Sequence, residues 1–304
     1  MKKLEMVLKT NFSVGIIGPG KTGLSLAEAF LKTGNLAWIL CRNDEKKGEL
    51  LKAGFKNAIS EFSFKNTPDV IFITVRDSQI SSVVDNLLKI HQNFPQKNLF
   101  KNTCFIHCSG ALGKNILQPL EEIGGITIAA HPFQTFARPS DEFLKDIAWG
   151  IEAKEQDRDF ISGLISLLGG KPFFLSNETI KKKELYHISA VAASNYLATA
   201  IALARDFADA AGIDEREFLP AIIRTTVNNS LESVLLKKDF PLTGPIARGD
   251  ILTVENHLSA LKNDPPLRKE YVMFGLATAE AAFKNGIIEA DVYTSFKNIF
   301  HNYL

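Results

Sequence analysis

The sequence predicts two domains, an α/β domain with a parallel sheet followed by an all-helical domain. Up to about Ser176, short apolar runs alternate with helix-length segments, which is typical of strands joined by crossover helices. Beyond this point the apolar pattern is helical, and no strand-like alternation follows. We place the boundary so that the domains cover residues 1–178 and 179–304.

A glycine-rich turn after the first apolar run is the most specific local pattern. It consists of Gly18, Pro19, Gly20, Lys21, Thr22 and Gly23. In the GxGxxG pattern, the three glycines permit the turn, the approach of a pyrophosphate and the packing of helix on strand. The following helix presents free N–H groups and its positive dipole end to the phosphates. The turn therefore predicts an α/β Rossmann-type N-terminal domain that binds a dinucleotide.

The same letters also fit the P-loop pattern GxxxxGK[ST], counted from Gly15, which would indicate a phosphotransferase. A P-loop starting there would shorten the preceding strand to Phe12–Val14, whereas the dinucleotide interpretation keeps Val14 to Ile17 in the strand. We favour the dinucleotide site on this ground. A plain glycine-rich turn also satisfies GxGxxG on its own.

The end of the second strand predicts which dinucleotide binds. An NAD site has Asp or Glu at this place, but this chain has Arg42 and Asn43, which can donate to a 2′-phosphate. We therefore expect NADP (as NADPH) rather than NAD. The alternative is that Arg42 pairs with Asp44 or Glu45. The ends of later strands add three more candidate cofactor contacts: Val75, Arg76 and Ser109.

Composition argues against several other functions. With 35 basic and 34 acidic residues, the chain has no charge bias toward nucleic acid or an anionic membrane. The three cysteines have neither CxxC nor metal-ligand spacing, so we predict no metal site and no disulfide framework. Lys2, Glu5 and Lys9 interrupt any apolar signal region, so we expect a cytoplasmic protein.

One segment, Leu185–Ala204, has no charged residue and is long enough to span a bilayer. Seven of its residues are alanine and several are polar, which makes it weakly hydrophobic for lipid. We predict a helix that is buried inside the helical domain or in a homodimer, with no membrane.

Four further motifs follow the glycine turn in a fixed order: HCSGALG (107–113), AHPFQTF (130–136), LYHISAVAASNYL (185–197) and LTGPIARGD (242–250). With them the chain resembles Rossmann-like oxidoreductases with a C-terminal helical domain of unknown function, family 2520. That family is related to the 6-phosphogluconate dehydrogenase, ketopantoate reductase and pyrroline-carboxylate reductase group. The resemblance implies a 6-phosphogluconate dehydrogenase-like helical domain, NAD(P)- or deazaflavin-dependent redox chemistry, a site between the domains and dimerisation through the helices.

His187 and His131 are the candidate proton donors, because imidazole can donate near neutral pH. His131 is expected in a loop after a strand, like His107. His187 would share one helical face with Ser194 and Asn195, and we assign His187, His131 and Asn195 to catalysis and Ser194 to substrate binding. The alternative is that these are core polar groups that bridge helices.

Two residues of the later loop complete the candidate site. Arg248 can bind a substrate carboxylate, with Thr243 nearby, or it can pair with Asp250 and organise the loop. Lys183 is expected at a solvated helix start. The hypothesis is an NADP-dependent oxidoreductase that transfers hydride between nicotinamide and a small carbonyl or imine acid. Ketopantoate reduction is one activity that the family resemblance implies. The rival is a protein that binds a dinucleotide without turnover.

Overall fold

The structure is a computed structural model that describes residues 12–62, 67–94 and 98–304. The chain forms two compact units, which divide between Ser194 and Asn195. The boundary predicted from the sequence lies sixteen residues earlier, where the strands end. The N-terminal residues used to argue against a secretion signal lie outside the described residues.

The first unit contains an eight-stranded sheet in the order β3-β2-β1-β4-β5-β6-β7-β8. The strands are β1 Val14–Ile17, β2 Leu36–Leu40, β3 Ala58–Ile59, β4 Val70–Ile73, β5 Cys104–His107, β6 Ile126–Pro132, β7 Ala148–Glu152 and β8 Lys171–Phe174. Neighbouring strands are parallel except for β6 and β7, which are antiparallel. The order from β3 to β6 is that of a Rossmann fold, so the predicted fold is confirmed; the sequence did not predict β3 or the antiparallel pair.

Helices cover both faces of this sheet. They are α1 Lys21–Lys32, α2 Asp44–Lys52, α3 Asp77–Asn93, α4 Gln118–Glu122 and α5 Arg158–Leu167, followed by α6 Asn177–Lys181 and α7 Lys183–Val191. Residues of β1, β4 and β5 are buried throughout, as expected for parallel strands covered on both sides. Two apolar cores result, one on each face of the sheet.

Gly15 decides between the two interpretations of the glycine cluster. It lies inside β1, and a Cβ there would lie 2.5 Å from ring atoms of Trp38. The residue therefore belongs to the packed strand and cannot start a phosphate-binding loop. The P-loop alternative is wrong, and the turn after β1 begins at Gly18.

The second unit is helical, with α8 Leu197–Ala210, α9 Glu215–Leu236, α10 Ile251–Ala260, α11 Pro265–Lys284 and α12 Ala290–His301. The last of these was not predicted. Its core is formed mainly by α10, α11 and α12, with Val254, Val272 and Phe300 fully buried. In contrast, α9 has no buried residue along its length.

The charge-free segment is not buried as predicted. Helical structure runs from Lys183 to Ala210, interrupted by a π-helical turn at Ala192–Tyr196. By length and composition alone this stretch could cross a membrane, but a single helix of this kind is weak evidence for a membrane span. Only 6% of its most apolar window is buried. Leu185 is 62% exposed and Ile188 is 52% exposed. Burial inside the helical domain of one chain is therefore wrong, and burial in a homodimer stays a prediction.

Candidate functional site

The glycine turn has the geometry that a dinucleotide requires. Gly18 has φ of +104°, which favours glycine, and its carbonyl accepts a hydrogen bond from Thr74 Oγ1 at 2.7 Å. A Cβ at Gly23 would overlap this same carbonyl, so α1 packs directly against the turn. At Gly20 the nearest atom to such a Cβ is Thr74 O at 4.0 Å. The turn is thus open at the one glycine where a pyrophosphate approaches the backbone.

The first turn of α1 fits an anion. Gly20 is its N-cap residue, no side chain caps the helix and no acidic residue lies in its first turn. The N–H groups of Lys21 and Thr22 therefore have no side-chain acceptor at the cap. Pro19 lies between the two glycines that shape the turn. These residues fit the phosphates of a dinucleotide.

Arg42 and Asn43 follow β2 at the same edge of the sheet. The Asn43 side chain accepts from Lys46 N at 3.0 Å and caps α2, so its oxygen is occupied while its amide hydrogens are not used by this cap. Arg42 is exposed, and no carboxylate of the described part of the chain pairs with it. Asp44 instead contacts Ser60 at 2.6 Å. The alternative pairing of Arg42 with Asp44 or Glu45 is thus not found.

The loops after β4 and β5 are tied together by side chains. Ser109 Oγ donates to Asp77 Oδ2 at 2.8 Å and accepts from the N–H groups of Ala111 and Leu112 at 3.2 and 3.0 Å. Ser109 is only 7% exposed. Its hydroxyl therefore organises the loop. Contrary to the prediction, it is not presented to a cofactor. Of the other two predicted contacts, Val75 packs against the glycine turn, where a Cβ at Gly18 would lie 2.8 Å from its Cγ1, and Arg76 is exposed.

His107 is the last residue of β5 and fully buried, so the prediction that it lies in a loop is wrong. Its Nδ1 accepts from Ser109 N–H at 3.2 Å, and its Nε2 donates to Gly113 O at 3.1 Å. Burial and the nearby Lys183 ammonium lower the pKa of His107 to about 4. Both nitrogens are used inside the loop, so His107 is not suited to donate a proton to a substrate.

His131 lies inside β6, opposite Gly150 of β7, and not in a loop as predicted. The strand continues past Ala130 because it gains the antiparallel partner β7. The Nδ1 atom of His131 lies 2.9 Å from the Tyr186 hydroxyl, and its ring is 5.9 Å from that of His187. We call His131, Tyr186 and His187 the histidine–tyrosine cluster.

The environment of the cluster keeps His131 and Tyr186 neutral at pH 7. Burial, and then the proximity of His187, lower the pKa of His131 to about 4. Burial raises the pKa of Tyr186 to about 12. The Nδ1 atom of His187 is buried and has no hydrogen-bond partner among the described residues. The cluster therefore combines a neutral donor pair with an unused polar atom.

Two glycines make room for this cluster. A Cβ at Gly110, in the loop after β5, would lie 2.6 Å from His187 Nδ1 and 2.8 Å from His131 Cε1. A Cβ at Gly150 would overlap the Tyr186 hydroxyl. The sequence showed no signal for Tyr186 beyond its position next to His187.

A buried ion pair lies beside the cluster. Lys183 Nζ is 3.4 Å from Glu152 Oε2, and Lys183 is only 3% exposed, so the expectation of a solvated helix start is wrong. Burial lowers the pKa of Lys183, and Glu152 partly opposes this shift. Glu152 also accepts from Lys114 N–H at 3.2 Å. The pair holds the start of α7 against β7.

The remaining candidates lie at the π-helical turn or in the second unit. Ser194 Oγ donates to Ala190 O at 2.7 Å, and the π-helical turn interrupts the α-helical spacing that placed Ser194 and Asn195 on the face of His187. Asn195 belongs to the second unit, as do Thr243 and Arg248.

The loop that carries Thr243 and Arg248 is organised without an ion pair between Arg248 and Asp250, which was the alternative to carboxylate binding. Asp250 caps α10 by accepting from Thr253 N and Oγ1 at 3.1 and 2.6 Å. Arg248 is exposed and has no ion-pair partner in the part of the chain that the structure describes. Within the same part, no group of three or more His, Cys, Asp or Glu residues could hold a metal ion.

Comparison with known proteins agrees with this architecture. The family profile of a Rossmann-like domain matches residues 3–132, and that of the domain of unknown function DUF2520 matches residues 147–278. A search of curated proteins finds no match.

Three solved structures illustrate the likeness. A provisionally assigned NADP oxidoreductase of Bacteroides fragilis is 20% identical with a TM-score of 0.67, over 87% of this chain and 96% of that one. A protein of Thermotoga maritima is 24% identical with a TM-score of 0.60, over 82% of this chain and 91% of that one. An imine reductase of Myxococcus stipitatus, in complex with NADP+, is 13% identical with a TM-score of 0.60, over 93% of this chain and 99% of that one. At these identities the likeness concerns the fold. The chain consists of a Rossmann-like domain followed by a domain of the DUF2520 family.

Proposed function

We propose that this protein is an NADP-dependent oxidoreductase that transfers hydride between nicotinamide and a small carbonyl or imine acid. The observation that carries the proposal is the half-buried, hydrogen-bonded pair of His131 and Tyr186 at the edge of the sheet where the glycine turn also lies. In open α/β sheets, ligands bind outside the carboxyl ends of the strands. Here that edge combines a phosphate-binding turn with a neutral proton donor.

The chain's own residues suit NADP. The N–H groups of Gly20, Lys21 and Thr22 would hold the pyrophosphate, and Arg42 would bind the 2′-phosphate with the amide hydrogens of Asn43 beside it. When bound, the cofactor supplies the hydride. The NADP+ complex of the imine reductase with the same fold supports this choice.

The proton is assigned to Tyr186. At neutral pH its hydroxyl is protonated, because burial raises its pKa to about 12, and His131 is neutral, with its pKa lowered to about 4. The hydroxyl donates to the substrate oxygen or nitrogen, and His131 Nδ1 hydrogen-bonds the phenolate that forms. The unpaired Nδ1 of His187 offers a further polar contact for the substrate.

We assign four residues to substrate binding on the basis of their side-chain chemistry. Arg248 is an exposed guanidinium suited to a carboxylate, with Thr243 in the same loop. Ser194 and Asn195 add polar groups at the π-helical turn, a feature that is frequent at functional sites. These assignments favour a small acid as substrate.

Titration and turnover together test the proposed reaction. We expect the wild type to bind NADPH with quench of cofactor fluorescence, more tightly than NADH, and to oxidise NADPH with a member of a panel of 2-oxo acids and cyclic imines. Arg42→Ala should weaken NADPH binding about 10- to 100-fold while changing NADH little. Tight binding without turnover on the whole panel would favour the non-catalytic dinucleotide-binding protein, and absence of NADPH binding would refute both.

We also propose that the protein is a homodimer in the cytoplasm. The apolar side chains of α9 are largely exposed, including Phe218 at 63%, Ile222 at 63% and Leu235 at 77%. Exposed apolar side chains in this number on one helix indicate an interaction site. A second copy of the chain would bury the exposed apolar side chains of α9.

Sedimentation tests this assembly. The wild type should sediment as a dimer at micromolar concentration, and Ile222→Glu should shift it toward monomer. Lys262→Glu, at an exposed position after α10, is the matched control and should leave the dimer intact. A wild-type monomer would refute the proposal.

A further inference from the structure

The helix that carries Tyr186 and His187 buries a charged side chain and no apolar one. Of the nine residues of α7, all of which the structure describes, only Lys183 is buried. Leu185 and Ile188 of the same helix are exposed. Apolar packing therefore contributes little to the placement of α7, and the one side chain that it buries ends in an ammonium group.

Two residues of β7 receive this helix, Gly150 and Glu152, which point to the same face because they are two apart in a strand. Lys183 and Tyr186 are three apart in α7, so they also share one face. A Cβ at Gly150 would overlap the Tyr186 hydroxyl. The Lys183 ammonium lies 3.4 Å from Glu152 Oε2. The helix is therefore fixed on β7 at two points, one a close approach and the other an ion pair.

The hydrogen-bond partner of Tyr186 lies on the same surface. His131 of β6 is directly opposite Gly150 of β7 in the antiparallel pair, and directly opposite residues point to the same face of a sheet. The His131 Nδ1 atom and the Tyr186 hydroxyl are 2.9 Å apart. The first is placed by β6 and the second by the position of α7 on β7. A shift of α7 along β7 would lengthen this hydrogen bond.

Glu152 also holds the loop after β5, which borders the cluster. The same Oε2 atom accepts from Lys114 N–H at 3.2 Å. This loop contains Gly110, where a Cβ would lie 2.6 Å from His187 Nδ1, so the loop and α7 approach each other closely. One carboxylate oxygen thus connects β7, α7 and the loop after β5.

We propose that Glu152 is a positioning residue for the proton donor: through Lys183, its carboxylate holds α7 in the register in which the Tyr186 hydroxyl meets His131 Nδ1. The inference rests on the proposed function and assigns neither member of the ion pair a contact with the substrate. Sliding of α7 would separate two largely buried charges, which is strongly unfavourable. A misplacement of about 1 Å can lower a rate by about 10²-fold, so the pair acts on turnover from outside the reacting atoms.

Two variants and a matched control test the positioning role. Glu152→Gln removes the negative charge and keeps an acceptor for Lys114 N–H. Glu152→Gln/Lys183→Met replaces the whole pair with neutral groups of similar size, so no unpaired charge is left buried. We expect each variant to lower kcat about 10- to 100-fold and to leave the Kd for NADPH within about two-fold. The control Glu121→Gln breaks partly exposed ion pairs with the side chains of Lys114 and Lys154, and it should leave kcat unchanged.

The Tyr186→Phe background separates positioning from a general loss of structure. If Glu152 acts through the Tyr186 hydroxyl, Glu152→Gln should lower kcat no further once that hydroxyl is absent, whereas independent effects would multiply. The ring nitrogen signals of His131 in ¹⁵N NMR give a second readout that needs no turnover. In Glu152→Gln/Lys183→Met they should move toward their values in Tyr186→Phe.

The two readouts distinguish failure of the inference from failure of the proposed function. Wild-type kcat and wild-type His131 signals in Glu152→Gln/Lys183→Met would overturn the inference and leave the proposed function intact. Effects of Glu152→Gln and Tyr186→Phe that multiply would also overturn it. A wild type that turns over no member of the substrate panel would refute the proposed reaction, and unchanged His131 signals in Glu152→Gln/Lys183→Met would then overturn the positioning role as well.

Discussion

His107 and His131 occupy comparable places, at the ends of neighbouring strands, and burial lowers the pKa of each to about 4. Their hydrogen bonds differ. Both ring nitrogens of His107 form hydrogen bonds within its own loop, to Ser109 N–H and Gly113 O. His131 contacts another element, through the Tyr186 hydroxyl, and packs near the unpaired Nδ1 of His187.

This difference separates a structural histidine from a candidate catalytic one better than the pKa does. A lowered pKa reports desolvation, which a satisfied core residue and an active-site residue share. A buried polar atom without a partner is uncommon and requires an explanation, which a ligand can provide. We therefore expect changes around His131 to affect turnover and changes around His107 to affect stability.

The largest expected effect is that of Tyr186→Phe. The variant keeps the ring that packs against Phe133 and loses the proposed proton donor. A general acid typically contributes about 10²- to 10⁴-fold, so kcat should fall by that factor while the Kd for NADPH stays within about two-fold. Steady-state kinetics and cofactor titration measure the two quantities.

Tyr293→Phe is the control for Tyr186→Phe. It removes a hydroxyl that hydrogen-bonds Glu280 in the helical unit, and it should leave kcat unchanged. If Tyr186→Phe keeps full turnover, the assignment of the proton donor is wrong, and His187→Ala becomes the decisive variant.

The next effect is a pH dependence of stability due to His107. Its pKa is about 4 in the folded protein and near 6.5 when unfolded, so the unfolded chain binds the proton more strongly. The contribution to stability is fully present above pH 6.5 and is lost as pH falls toward 4, by about 3 kcal/mol at most. His107→Gln, which keeps a donor for Gly113 O, should show a shallower loss between pH 7 and 4.5 in denaturant unfolding.

His131 contributes a pH dependence in both proteins, and the charge of His107 is the smallest of the causes that lower the pKa of His131, so most of the difference between the two curves is due to His107. Parallel curves would mean that His107 is not desolvated as described.

The sequence was sufficient for the fold and the phosphate-binding turn because both rest on local patterns. The three glycines of the turn and the apolar strands are encoded within short windows. The histidine–tyrosine cluster is not, since it depends on β6 extending to Pro132 through its antiparallel partner β7. Tyr186 approaches His131 only because Gly150 lacks a side chain. These residues are far apart in the sequence, so no local apolar pattern predicts their contact.

Helical spacing also failed where it was extrapolated through the π-helical turn at Ala192–Tyr196. Ser194 and Asn195 share a face with His187 only if the helix keeps 3.6 residues per turn. Burial was misjudged for the same segment, because a charge-free, alanine-rich stretch predicts that a surface will be covered but not which chain covers it.

Ser109→Ala should destabilise the protein moderately. The substitution leaves the N–H groups of Ala111 and Leu112 without their acceptor and removes a donor to Asp77. Groups that lose a partner in this way cost about 1–3 kcal/mol, measured as a lower midpoint of denaturation. NADPH affinity should change less than about two-fold. A large loss of affinity with unchanged stability would restore the role in cofactor binding that the sequence predicted.

The smallest effect concerns Cys108, which lies between His107 and Ser109 at the start of the loop after β5. Its side chain packs against the core. Its position next to His107 resembles a nucleophile beside a base, but both nitrogens of His107 are already hydrogen-bonded. Burial raises the pKa of the thiol to about 12, so its thiolate fraction at pH 8 is on the order of a thousandfold below that of a free cysteine. Alkylation of Cys108 in the native protein should therefore be slower than that of free cysteine by a similar factor, followed by mass spectrometry of the modified peptide. Cys108→Ala should keep kcat within about two-fold of the wild type. Rapid alkylation accompanied by inactivation would place the chemistry in the loop after β5, and the distinction drawn between His107 and His131 would fail.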